Sequence, residues 1–381
     1  MLQTFLEKKP LYYDEIDYAR MPRIYEHIRS SLKIPKIIHL IGTNGKGTTG
    51  RFLASALYSL GFDVGHYTSP HILEFNERIW HNGSNVSYEK LNRTHEKLLS
   101  LLTSQETESL SYFEYTTILA LLLYSECDYV VLEAGLGGEH DATAIFENIF
   151  TLVTPIDFDH EAFLGNNITA IATTKLQAVQ NGAILAKQAH QEVYETANEI
   201  AKKKSLIIKR CELYLEDEDR KKIAKIAQNN VLAPYLVENL KLAVAALKHL
   251  QLSYEVQDFD NAKLFGRLSS LGENILVDVG HNTLAAKSIY DALKENKYIL
   301  VYNSYKDKNY KEILKILQPI ILHVEIIAVE EDRIEKTEKL QCVMQELDIK
   351  YRTFSHINEN EKYLVFGSFS VVETFLKGYR G

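Results

Sequence analysis

The residues best placed to do chemistry cluster around Lys46, in the run Gly42-Thr43-Asn44-Gly45-Lys46-Gly47-Thr48-Thr49. An apolar run (Ile37, Ile38, Leu40, Ile41) precedes it and a helix-forming segment, Phe52 to Leu60, follows. Strand, glycine-rich loop and helix together make a phosphate cradle. Glycines let backbone N–H groups approach phosphate oxygens, the helix N-terminus adds a positive field, and the lysine neutralises charge. The strict phosphate-loop pattern places Ser or Thr directly after Lys, whereas here Gly47 intervenes before Thr48. An ordinary glycine turn is the plain alternative, so the other reactive groups have to be weighed with it.

Further groups sit where strands should end. Asp128 to Glu133 is a β-branched run closing on an acid, ahead of Ala134-Gly135-Leu136-Gly137-Gly138. A strand-end carboxylate facing a phosphate loop is the place for a Mg2+ ligand, although a structural role for such an acid is as common. Phe150 to Pro155 delivers Asp157, Asp159 and His160, and Lys175 lies in an apolar segment further on. His66 to His71 and Phe75 to Ile79 are polar stretches at the carboxyl edge of a sheet, where α/β proteins bind ligands. Asp278-Val279-Gly280-His281-Asn282 repeats that arrangement later in the chain. No G-x-S-x-G elbow is present, and no G-x-G-x-x-G follows a strand, which disfavours a hydrolase of that type and a dinucleotide dehydrogenase.

The elements that must position these residues read as α/β. Residues 1–35 are helical in pattern, Glu89–Thr103 and Tyr115–Tyr124 are helices, and another begins at Ile168. A short strand follows at Ala183-Ile184-Leu185, and Leu236–Leu250 is an apolar-periodic helix. Residues 192–228, rich in Lys and Glu, read as exposed structure without chemistry. After about Ala262 the pattern restarts with apolar runs at Asn274–Val279, Tyr298–Tyr302, Val324–Val329 and Tyr363–Phe366. We expect a large N-terminal phosphate-loop ATPase-type domain (1–262) with a mainly parallel sheet, and a smaller C-terminal Rossmann-like α/β domain (263–381).

Composition bounds the partners. Hydrophobic residues make up 46% and charged residues 25% of 381 positions, an ordinary soluble balance. The net charge of -8 argues against a nucleic-acid binder, while leaving room for a local focus of cations that binds phosphate. No apolar run approaches the ~20 residues of a membrane span. The first ten residues lack a signal-peptide pattern, and three cysteines are widely spaced, so a cytoplasmic protein without disulfides is expected.

Taken together, the motifs resemble folylpolyglutamate synthase/dihydrofolate synthase, a branch of the Mur ligase superfamily. They are IGTNGKGTT (41–49), YTSPHILEFNERI (67–79), YFEYTT (112–117), VLEAGLGGEHDAT (131–143), DHEAFLGNNITAIATTK (159–175), FGR (265–267), VDVGHN (277–282), YKDKNY (305–310) and VFGSFSVVE (365–373). The family ligates L-glutamate to a folate precursor with ATP. The resemblance therefore implies an ADP-forming amide ligase acting on dihydropteroate, on tetrahydrofolate glutamates, or on both, as a monomer. A chain specialised for one acceptor is the alternative, followed by another Mur-type amino-acid ligase. A phosphate-loop binding module without ligation is a third reading, disfavoured because binding alone needs no second metal.

Carried over by position, the resemblance assigns Gly42, Thr43, Asn44, Gly45, Lys46, Gly47 and Thr48 to the ATP phosphates, with Lys46 on the β/γ oxygens. Ser69 and Glu133 would bind a first Mg2+, and Glu133 and His160 a second. Lys175 matches a lysine the family carries as a carbamate, an anion able to bind or orient that second metal. Asn239, Arg267 and Asp278 match nucleotide contacts, so ATP would bridge the domains and closure would complete the site. His281 matches a phosphate or glutamate contact, and Ser368 a loop residue near the glutamate. The pterin-bearing acceptor would lie near Asp17, Phe113, Glu114, His140, Asp141 and Ala142, with Phe75 and Arg78 adjoining. The chain departs from the family at Glu139, where a basic residue is usual, and at Ala144, usually Asn. Thr174 replaces the usual Glu before the lysine.

Overall fold

A computed structural model describes residues 1–10, 17–159 and 164–380. The chain divides into two units. One takes Met1–Asp157, most of the stretch to Asn230, and Glu238–Lys263. The other takes Val231–Val237 and Leu264–Gly381, together with Phe158 and Asp159.

In the larger unit the strands are β1 (Lys36–Ile41), β2 (Val64–Tyr67), β3 (Ile79–His81), β4 (Ser84–Asn85), β5 (Tyr129–Glu133), β6 (Phe150–Val153), β7 (Ala183–Leu185) and β8 (Ile208–Arg210). Among the described residues they form one sheet in the order β4-β3-β2-β5-β1-β6-β7-β8. All neighbours are parallel except β2–β3 and β3–β4. The central strands are continuous Val, Ile and Leu runs because both faces of a parallel sheet are covered by helices. One apolar cluster packs helices Tyr88–Leu101 and Tyr112–Leu123 against the sheet, and another packs Ile168–Leu176 and Gln191–Lys204.

Register places the site. Leu40 pairs with Glu133 and Ile41 with Val153. Gly42, Glu133 and Thr154 therefore share one carboxyl edge. The helix after the glycine loop spans Lys46–Ser59, so it starts six residues before the Phe52 read from sequence. Its first five residues include two glycines and two β-branched threonines, which mask helical propensity, yet residues 47–57 are buried along its length.

The smaller unit contains β9 (Ser269–Leu271), β10 (Ile275–Val277), β11 (Tyr298–Tyr302), β12 (Ile321–Ile326), β13 (Tyr351–Thr353) and β14 (Tyr363–Phe366). Their order is β13-β12-β11-β14-β10-β9, parallel apart from β9. The α/β class is the one read from sequence. The hairpin strands β3 and β4 and the edge strands β9 and β13 escaped that reading, being two or three residues long with little apolar periodicity. Among the described residues of 1–35 the helices are short, Leu2–Leu6 and Arg20–Ile28, with a tight turn at Arg29–Ser31.

Candidate active site

The glycine loop turns backbone donors outward, as an anion site requires. Gly45 occupies the N-cap of Lys46–Ser59 at φ 90° and offers no capping side chain. Intrahelical bonding begins with Thr49 N–H on Gly45 C=O, leaving the amides of Lys46, Gly47 and Thr48 pointing out of the first turn. Thr43 and Asn44 are committed elsewhere: both amides donate to Pro155 C=O, at 2.9 and 3.3 Å. Thr43 Oγ1 exchanges 3.1 Å bonds with the Asp157 backbone. A side chain at Gly45 would collide with Asn239. Asn239 is buried in the helix Pro234–His249, against the glycine loop.

Lys46 Nζ donates to the carbonyls of Gly42 and Thr43, each at 3.3 Å, and lies 3.8 Å from Glu133 Oε1. Glu133 ends β5 and is 4% exposed. Its Oε2 accepts from the Thr68 hydroxyl and from Ser69 N–H, the latter at 3.3 Å. Lys175, 4% exposed at the end of Ile168–Leu176, donates from Nζ to Gly42 C=O at 3.1 Å. Gly138 packs directly on the backbone of Thr174 and Lys175, where a Cβ would fall 2.6 Å from Lys175 Cα. The glycine-rich run after β5 is thus seated on the end of the lysine's helix. His160 lies outside the described residues.

The residues that the resemblance assigns to the acceptor divide in their contacts. Phe113 closes on Gly135, and Asp141 accepts from Leu136 N–H at 2.8 Å and from the Thr143 hydroxyl at 2.6 Å. Burial pushes the Asp141 carboxyl up, opposed by those donors. Ala142 is buried beside it, and the ring of exposed His140 packs tilted against Tyr18, with centroids 4.3 Å apart. Arg78 donates from Nε to His71 Nδ1 at 2.8 Å and lies over Tyr112, while Phe75 is buried. Burial, then the Arg78 cation, lowers His71 to about 4, so the ring is a neutral acceptor. Glu114 pairs with Arg20 at 3.0 Å and accepts from Ser111 N–H at 2.8 Å. Asp17 is exposed and pairs with Arg23 at 2.7 Å.

In the smaller unit Asp278 follows β10 and is 4% exposed. It accepts from Tyr235 OH, Leu268 N–H and Gly280 N–H, each at 2.8 Å. Burial raises its pKa, and nearby Arg267 opposes the rise. The Arg267 guanidinium lies over Phe369 and bonds Gly266 C=O at 3.0 Å. Asp159 receives Lys308 Nζ at 2.6 Å and Asn282 Nδ2 at 3.1 Å, with His281 Nε2 at 3.6 Å. Ser368 is buried and caps Phe369–Arg380 by accepting from Val371 N–H at 3.1 Å. Thr68, Tyr235, Lys308 and Asn282 were not singled out from sequence. Thr68, Lys308 and Asn282 carried the signal of motif membership, whereas Tyr235 lies in no motif.

A phosphate loop beside a buried strand-end carboxylate on a parallel sheet, in a chain with a second α/β unit, defines the Mur ligase class of fold. No family model matches the chain, but full-length relatives do. It is 30% identical over 356 residues to the Haemophilus influenzae dihydrofolate synthase/folylpolyglutamate synthase, covering 84% of this chain and 80% of that protein. The crystal structure of Helicobacter pylori folylpolyglutamate synthetase is 39% identical with a TM-score of 0.82, covering 100% and 98% of the two chains. E. coli FolC in complex with DHPP and ADP is 25% identical with a TM-score of 0.83, covering 100% and 97%. The chain belongs to the dihydrofolate synthase/folylpolyglutamate synthase family.

Proposed function

We propose that the chain is an ATP-dependent ligase joining L-glutamate to dihydropteroate, to folate glutamates, or to both, forming ADP and phosphate. The observation that carries this reading is the open first turn at Lys46–Thr48 beside the buried carboxylate of Glu133, in a chain similar over most of its length to such ligases. A carboxylate and an amine form only a salt at neutral pH, because oxide is too poor a leaving group. Transfer of the γ-phosphoryl group to a carboxylate oxygen gives an acyl phosphate and ADP. The glutamate amine then attacks the acyl carbon, the C–O bond to phosphate breaks, and a proton is lost from nitrogen.

Catalysis of phosphoryl transfer rests on positioning and charge stabilisation. In this reading the amides of Lys46, Gly47 and Thr48 hold phosphate oxygens, and Lys46 exchanges its carbonyl contacts for the β/γ oxygens. The donor set suits a hard cation: Glu133, Ser69 and the buried Thr48 hydroxyl, which has no hydrogen-bond partner among the described residues. Bound Mg2+ would neutralise phosphate charge there, with His160 and a carbamylated Lys175 serving a second ion. Asn239, Arg267 and Asp278 would contact nucleotide, and His281 and Ser368 the phosphate or glutamate. Phe113, Asp141, Ala142 and His140 would face the acceptor, with Asp17, Arg78 and Glu114 at its margins.

The test is an acceptor panel of dihydropteroate against tetrahydrofolate mono- and diglutamate, each with ATP and L-glutamate. Phosphate release that depends on both acceptor and glutamate supports the ligase, and the preferred acceptor names its specialisation. ATP binding without turnover on any pteroate acceptor overturns it.

A further inference from the structure

On the opposite edge of the larger sheet, three side chains of metal-ligating type converge. Asp63 stands just before β2, Cys127 two residues before β5, and His81 at the end of antiparallel β3. One ligand atom from each lies within 4.8 Å of the others. We propose that Asp63, His81 and Cys127 form a three-ligand site for a zinc-class divalent cation, distinct from the phosphate-loop site.

The donor set points to that class. A thiolate, an imidazole and a carboxylate suit Zn2+ or Co2+, with a fourth position left to water. Tetrahedral zinc bond lengths set ligand–ligand separations of about 3.3–3.8 Å. Asp63 Oδ1 and His81 Nε2 are already 2.8 Å apart, so capture needs side-chain adjustments of about an ångström. Cys127 is 8% exposed while Asp63 and His81 are partly open to solvent, giving an entry path. Binding replaces the Cys127 Sγ–H, which hydrogen-bonds to Asp63, and the proton leaves to solvent.

The supports are rigid. Asp63 C=O accepts from the amides of Asp128 and Tyr129 at 2.8 and 3.2 Å, and Asp63 N–H donates to Asp128 Oδ2 at 2.9 Å. The His81 ring stacks on Tyr124, whose hydroxyl is bonded to two strand carbonyls. Exposed Lys90 lies 3.5 Å from His81 Nδ1 and must swing away when that nitrogen carries the proton. Six residues of extended chain separate Cys127 from Glu133, about 20 Å, so one ion cannot serve both places.

Co2+ titrated into the reduced, chelator-treated full chain, with excess Mg2+ present, reads the site directly. A near-ultraviolet thiolate-to-cobalt charge-transfer band should saturate at one equivalent and be displaced by Zn2+. Cys127→Ser should abolish it, His81→Gln should weaken cobalt binding on the order of 10-fold or more, and Cys342→Ser should leave it unchanged. No band in the wild type, a band requiring many equivalents, or a band surviving in Cys127→Ser overturns the site. Far-ultraviolet circular dichroism of each variant separates lost ligation from lost folding, and His81→Gln keeps the test open should Cys127→Ser not fold.

Discussion

Lys46 is held short of its proposed task, with its ammonium on two loop carbonyls and 3.8 Å from Glu133. Lys46→Ala should lower kcat on the order of 10^3-fold, the scale of a lost charge-stabilising donor, measured as phosphate release. Near-full activity would remove the lysine from the phosphate site. Gly45→Ala acts differently, by strain: a φ of 90° is costly for alanine, and the new methyl meets Asn239. It should weaken ATP binding, read by calorimetry, with the stability of the rest of the fold largely kept. Lys175→Ala should cripple turnover and recover partly in short carboxylates such as formate or acetate. A wild-type rate without them would discard the carbamate.

Among the elements, the helix Tyr112–Leu123 shows how a motif residue can hold the fold. Ser111 and Glu114 form a reciprocal cap, and Glu114 also neutralises Arg20, which is 8% exposed. Glu114→Ala removes the cap and the ion pair with Arg20, so it should cost about 2–3 kcal/mol in urea unfolding. Ser111→Ala, which removes only the hydroxyl, should cost about 1 kcal/mol. Equal losses in the two variants would show that the Arg20 pair adds nothing. Strand ends in this chain were legible because a β-branched run closing on an acid is a local signal. The loop Ser69–Arg78 was legible as polar, but not its internal frame, in which Glu77 accepts from the amides of Ile72, Leu73 and Glu74.

At the scale of the whole molecule, buried histidines set an acid limit. Burial lowers His39 to about 4 from its ordinary 6.5, and burial with the Arg51 cation lowers His66 as well. The unfolded chain takes up these protons near 6.5 while the folded chain does not, so stability falls as pH drops from about 6.5 towards 4. His39 alone should account for about 2 kcal/mol between pH 7 and pH 5. Urea unfolding at both pH values should show His39→Gln with a shallower loss than the wild type. Equal slopes would mean that His39 does not carry the effect.

The sequence alone determined the glycine–lysine loop, the strand-end acids and the α/β class with its mainly parallel sheet, because each is a pattern of neighbouring residues with a local physical meaning. Only tertiary structure brought Thr68 to Glu133, Asn239 to Gly45, Tyr235 to Asp278 and Lys308 to Asp159. It also decided that Asp63, His81 and Cys127 meet. Such partnerships depend on strand order and helix seating, here on β2 pairing with β5 rather than with β1. That order follows from burying apolar faces across the whole chain, which no window of sequence contains.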